Sequence, residues 1–111
     1  MTDEQAVEML NALSQITRFK VFRLLMSEGD SGMAAGKIAE ALGVPQNTLS
    51  SHLTILSNAG LISVTRQGRK LIYAADIPEA RTLIGFLVND CCHGHPEVCS
   101  IAFPAKDFEL T

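Results

Sequence analysis

The sequence is poor in several things, and each lack excludes something. No apolar run approaches the roughly 20 residues that cross a bilayer, which excludes a spanning helix. The opening Met1-Thr2-Asp3-Glu4-Gln5 is acidic and lacks the basic-then-apolar order of a secretory signal, so a cytoplasmic protein is expected. There is no internal repeat and no low-complexity segment. There is no Cys-x-x-Cys on a βαβ frame, no acid–base pair that stands out and no phosphate-binding loop. A non-enzyme is therefore expected, with a thiol-based enzyme as the remote alternative. Acidic residues are missing altogether from Ala41 to Ala75, although the chain carries 12 of them against 9 Lys and Arg. Cysteine is missing until position 91.

What is present fits one small domain. The 111 residues are 47% hydrophobic and 19% charged, enough apolar material for a core and too little charge for wholesale disorder. A core this small gains from burying more surface against a second copy, so a homodimer is expected. The formal net charge of −3 does not advertise a nucleic-acid binder. Its distribution matters more: Asp3, Glu4 and Glu8 open the chain, Glu97, Asp107 and Glu109 lie near its end, and Arg66, Arg69 and Lys70 fall in the acid-free stretch. A solvated hairpin would carry the same charges, so charge alone does not decide.

Periodicity predicts mainly helix with one small β-hairpin. A first helix is expected over 3–15, with Ala6, Met9, Leu10 and Leu13 at helical spacing. Thr17 is expected to cap a second helix, in which Phe19, Phe22 and Leu25 form the buried stripe, helped by Val21 and Leu24. Residues 28–32 read as a loop. A third helix over 34–42 buries Ile38, Ala39 and Leu42 and ends at Gly43. A fourth, over 46–58, carries Leu49, Leu53 and Leu56. Runs at 61–66 and 70–74 are apolar and rich in β-branched or aromatic residues, with Gln67-Gly68-Arg69 as the turn between them. Pro78 suits the first turn of a fifth helix that runs to about residue 90 or 92. Residues 1–92 are expected to form the DNA-binding and dimerisation domain, and 93–111 a cysteine-containing tail.

Two short helices joined at Gly43-Val44-Pro45 and followed by a basic hairpin form a winged helix-turn-helix pattern. In such a unit the first helix braces the second, and the second enters the major groove. Gln46, Asn47, Thr48, Ser50, Ser51, His52 and Thr54 are the candidate DNA-contacting residues of the second helix. Gln and Asn can bond adenine in pairs; Ser and Thr can serve base edges or phosphates. In the wing, Arg66, Arg69 and Lys70 suit phosphates or the minor groove. The predicted partner is double-stranded operator DNA. A winged helix that binds only another protein is the rival, and the acid-free stretch argues for DNA.

All three cysteines fall within nine positions, in Cys91-Cys92-His93-Gly94-His95-Pro96-Glu97-Val98-Cys99. Thiolates are soft ligands that select soft ions. Three of them suit trivalent arsenic or antimony, which bind three sulfurs below a lone pair and need no fourth ligand. Two thiolates with His93 and His95 could instead hold zinc or cadmium. A disulfide formed under oxidant is a further possibility, and three buried structural cysteines are the plain alternative.

Residues of about 8–90 resemble the ArsR family of winged-helix metalloregulators. The resemblance rests on Leu10-Asn11-Ala12-Leu13, on Thr17-Arg18-Phe19-Lys20-Val21-Phe22-Arg23-Leu24-Leu25 and on Lys37-Ile38-Ala39-Glu40-Ala41-Leu42-Gly43-Val44. Its most specific part runs from Ser50-Ser51-His52-Leu53 to Asn58-Ala59-Gly60-Leu61-Ile62, followed by Arg66, Gly68, Arg69 and Tyr73. It implies a homodimeric repressor built on the first and last helices, with two recognition helices facing successive major grooves. Family members differ in where their sensing residues lie. One type carries a cysteine pair on the first helix of the helix-turn-helix, where 32–36 here has none. A second places His and carboxylates along the last helix, where 79–90 here has no His. A third, arsenite-responsive, has adjacent cysteines after the last helix and another a few residues on. The resemblance to that type implies Cys91, Cys92 and Cys99 as metalloid ligands, with arsenite or antimonite as inducer. The chain departs from the family at Ser51, often basic, at Thr54, often Lys or Ala, and at Gln15-Ile16, where an acidic-Pro step is usual. Its recognition helix is thus less basic than usual, and affinity is expected to lean on the wing and on Arg18, Lys20 and Lys37.

Overall fold

A computed structural model describes residues 1–90. Helix α1 spans Asp3–Leu13. Thr2 starts it with a reciprocal cap: its hydroxyl accepts from the Gln5 backbone N–H, and the Gln5 side chain accepts from the Thr2 N–H. Its buried residues are Ala6, Met9 and Ala12, so Leu10, expected inside, is exposed.

Helix α2 spans Ile16–Glu28. Its cap is Gln15, whose side-chain oxygen accepts from the Arg18 N–H at 3.0 Å; Thr17, the expected cap, lies inside the first turn. Val21 and Leu25 are fully buried, with Phe22 and Leu24 packed partly against the core. Phe19 was expected in that stripe and is exposed. At 100° per residue it sits about 200° of helical rotation from Val21, on the other side of the helix.

A short 3₁₀ turn, Gly29–Ser31, leads into β1, Met33–Ala34. The expected third helix begins one residue later than predicted, as α3 over Ala35–Leu42. Helix α4 spans Gln46–Asn58, as expected. Strands β2 (Ile62–Gln67) and β3 (Lys70–Ala75) form the hairpin, in antiparallel register from Ile62 opposite Ala75 to Gln67 opposite Lys70. The unforeseen β1 pairs with the other edge of β3, Met33 opposite Tyr73 and Ala34 opposite Ile72, which gives a three-stranded sheet in the order β1-β3-β2. This pairing needs close approach. A Cβ at Gly32, whose φ is +66°, would stand 2.5 Å from the Tyr73 carbonyl oxygen.

Helix α5 spans Ile77–Gly85, with Asp76 as its cap and Pro78 in its first turn. From Phe86 to Asp90 the chain changes to a π-helical turn, where the sequence predicts continued α-helix. Leu25, Ile38, Leu49, Leu53, Leu56 and Leu61 form the heart of one core shared by α2, α3, α4 and the foot of the hairpin. Among the described residues no helix is long and apolar enough to cross a membrane.

Candidate nucleic-acid interface

The helix-turn-helix is set by its connecting turn. Gly43 closes α3 in the left-handed conformation, φ +66° and ψ +34°, which a residue with a side chain adopts with strain. The Val44 N–H then reaches back to the Ala39 carbonyl at 3.1 Å, satisfying one of the carbonyls that a helix end leaves open. Pro45 follows at the N-cap of α4, extended at φ −62° and ψ 142°, and its carbonyl accepts from the Leu49 N–H at 3.0 Å.

Helix α4 has two distinct faces. Leu49, Leu53 and Leu56 are buried. Gln46, Asn47, Thr48, Ser50, Ser51 and Thr54 are exposed, so six of the seven residues singled out on this helix stand in solvent. Asn47 folds its side-chain oxygen onto the Thr48 N–H at 3.0 Å. The hydroxyls of Ser51 and Thr54 donate back to the carbonyls of Thr48 and Ser50. Their oxygen lone pairs remain for donors such as a base amino group. His52 is different. It is half-buried at the edge of the leucine stripe, and its Nδ1 lies 3.3 Å from an Arg18 Nη1.

The wing residues Arg66, Arg69 and Lys70 are all exposed. Arg66 lies on β2 opposite Leu71, while Arg69 and Lys70 stand at the hairpin tip. Arg69 and Lys70 share a cleft of about 560 Å³ with Lys37, Glu40 and Gln46. The β1–β3 pairing is what brings the first turn of α3 to the wing. Three cations, the Glu40 carboxylate and the amide of the first residue of α4 thus line one open groove. Lys37 is one of the three basic residues, with Arg18 and Lys20, that the sequence singled out beyond that helix and hairpin; its place in this groove depends on β1, which local periodicity did not show.

The hairpin's foot is tied to the start of the last helix. The Asp76 N–H donates to the Leu61 carbonyl at 2.9 Å, and the Asp76 carboxylate caps α5 by accepting from the Glu79 N–H at 3.2 Å. Helices α1 and α5 carry apolar side chains that nothing among the described residues covers: Val7 (57% exposed) and Leu10 (42%) on α1, Ile84 (40%) on α5 and Leu87 (38%) just beyond it.

Comparison with known proteins agrees with this geometry. Residues 13–65 match a helix-turn-helix domain family. The transcriptional repressor SdpR of Bacillus subtilis is 36% identical over 78 residues, 70% of this chain and 83% of that protein. The chain belongs to the ArsR family of winged-helix transcriptional regulators. Two solved structures share the ArsR fold. An ArsR-like regulator from Rhodococcus sp. RHA1 superposes with a TM-score of 0.73 at 23% identity, over 88% of this chain and 90% of that one. A homodimeric winged helix-turn-helix DNA-binding domain from Mycobacterium bovis, described as a possible ArsR-family regulator, gives 0.64 at 26% identity, over 86% and 91%. The relatives and neighbours are transcriptional regulators, not enzymes. This ArsR-family chain is accordingly a DNA-binding transcriptional regulator. The sensing candidates Cys91, Cys92, His93, His95 and Cys99 lie outside the described residues. Among the described residues, no group of three or more His, Cys, Asp or Glu side chains is placed to hold a metal ion.

Proposed function

We propose that the chain is a cytoplasmic, homodimeric repressor that leaves its operator when trivalent arsenic or antimony binds Cys91, Cys92 and Cys99. Repression rests on the two-faced recognition helix and the basic groove beside it. Dimerisation is supported by the uncovered Val7, Leu10, Ile84 and Leu87 on the first and last helices, and by the homodimeric state of the Mycobacterium bovis neighbour. A dimer would place two recognition helices about one turn of DNA apart, roughly 34 Å. Residues 1–92 would serve DNA binding and dimerisation, and 93–111 would carry the sensor.

The observation that carries the inducer is the donor set. Three thiols within nine positions, directly after the last helix, match an ion that takes three soft ligands and keeps a lone pair. The ligand must bind the DNA-free dimer more tightly than the DNA-bound one, by about 1–3 kcal/mol on the usual scale of such coupling. Fluorescence anisotropy of the reduced protein on its own upstream DNA, titrated separately with arsenite and zinc, tests this. Release by arsenite and not zinc is expected, with Cys91→Ser, Cys92→Ser and Cys99→Ser each abolishing the response. Retention of full release by all three variants would remove the thiols from the mechanism. Release by zinc or cadmium would point to the set that includes His93 and His95.

A further inference from the structure

One polar tie in the molecule joins three helices. Ala12 stands near the end of α1, where the last carbonyls have no partner within the helix. Arg18, in the first turn of α2, donates its Nε–H to the Ala12 carbonyl at 2.7 Å. An Nη1 of the same guanidinium lies 3.3 Å from His52 Nδ1, across 34 residues of sequence. A guanidinium offers only donors, so Nδ1 must be the lone-pair nitrogen. This pairing calls for the tautomer with its proton on Nε2.

Position makes this tie matter. His52 follows Leu49 by three residues and precedes Leu56 by four, so it borders the buried stripe on α4. Along the same side, α1 and α4 meet in the shared core below the surface. A cleft of about 580 Å³ opens between them, lined by Val7, Asn11, Arg18, Ile55 and Asn58 among others. At that open seam Ala12 and Arg18 line the cleft, and the Ala12–Arg18–His52 bridge adds a polar link between α1 and α4 to the apolar packing beneath.

We infer that Arg18 is a positioning residue for DNA binding: through His52 it fixes the seat of the recognition helix relative to α1. Its effect reaches DNA through the placement of Asn47, Ser51 and Thr54, because hydrogen bonds to bases weaken steeply with small changes in distance and angle. The inference rests on DNA binding by α4 and is independent of the inducer.

The test uses the full chain and a labelled duplex selected from a random library against the wild-type protein. Arg18→Ala and His52→Phe are each expected to weaken binding about tenfold, the scale of one charge-assisted hydrogen bond. The double variant should bind no worse than either single one. His52→Asn should restore most of the affinity, since its amide oxygen stands near the place of Nδ1 and can accept from Arg18. Circular dichroism at the assay temperature should show all four variants folded, which separates a positioning role from a merely structural one. The salt dependence of binding should keep the wild-type slope in Arg18→Ala. Nitrogen-15 NMR of the DNA-free protein at about pH 8, where imidazole is ordinarily neutral, should show His52 with its proton on Nε2. A slope reduced by about 0.9 in Arg18→Ala would make Arg18 itself a phosphate contact and overturn the inference. Additive losses, a proton on Nδ1, or His52→Asn as weak as His52→Phe would overturn it too. Failure of the wild-type protein to select any duplex would instead count against DNA binding, and the NMR result would still stand apart from it.

Discussion

The helix-turn-helix and the pair formed by α1 and α5 handle apolar side chains in opposite ways. In α4 the three leucines are sealed inside the protomer, at 0%, 2% and 0% exposure. In α1 and α5 Ala6, Met9, Ala12, Ala80 and Leu83 are buried, while Val7, Leu10 and Ile84 face outward. In the first region the leucine stripe is enclosed and, of the apolar side chains, only Ile55 stands out from α4. The second is finished on its inner side only. Both regions share one core, and the outer helices in addition carry the surface that a second copy can complete.

The contrast can be broken most forcefully from the sealed side. Leu53→Ala removes a fully enclosed side chain and should lower stability by about 2–5 kcal/mol, read by urea unfolding. A loss below about 1 kcal/mol would mean that the leucine stripe is not the anchor of α4. On the open side, Leu10→Glu should leave the melting temperature of the protomer nearly unchanged. It should shift sedimentation from dimer to monomer and weaken DNA binding about a hundredfold, because two linked heads bind far more tightly than one. If that variant remained dimeric with full affinity, the uncovered residues on α1 would have no role in assembly.

Smaller changes sharpen the comparison. Arg69→Ala and Lys70→Ala should each reduce the slope of log affinity against log salt by about 0.9, with folding intact. Unchanged slopes would place the DNA away from the wing. Asp76→Ala touches the junction between the two regions. Loss of the α5 cap should cost about 1 kcal/mol in thermal unfolding, with the leucine core undisturbed.

Much of the DNA-binding unit was legible in the sequence because its signals are local. Gly43 and Pro45 punctuate the turn, and the spacing of Leu49, Leu53 and Leu56 gives α4 its bounds. The hairpin shows itself through two β-rich runs with a glycine between them. What the sequence hid depends on contacts between distant segments. Met33–Ala34 is too short to carry a strand pattern and becomes one only through Tyr73 and Ile72. Missing that strand also hid the meeting of Lys37 with Arg69 and Lys70. Phe19 looked buried because it is large and apolar, but rotation about α2 gives the inner face to Val21 and Leu25. Thr17 lost the cap to Gln15, a longer side chain that still reaches the Arg18 N–H. His52 read as one more polar residue on the recognition helix, and only the fold shows that Arg18 already engages it.

The bond from Asp76 to Leu61 gives the last helix a fulcrum. Beyond it lie the nine residues of α5 and the five of the π-helical turn, roughly 20 Å at helical rise. A swing of about 5° around that fulcrum moves the far end by about 2 Å and the exit of α4 hardly at all. Under the proposed function, a push delivered beyond Asp90 would turn the last helix about this point while the helix-turn-helix kept its shape.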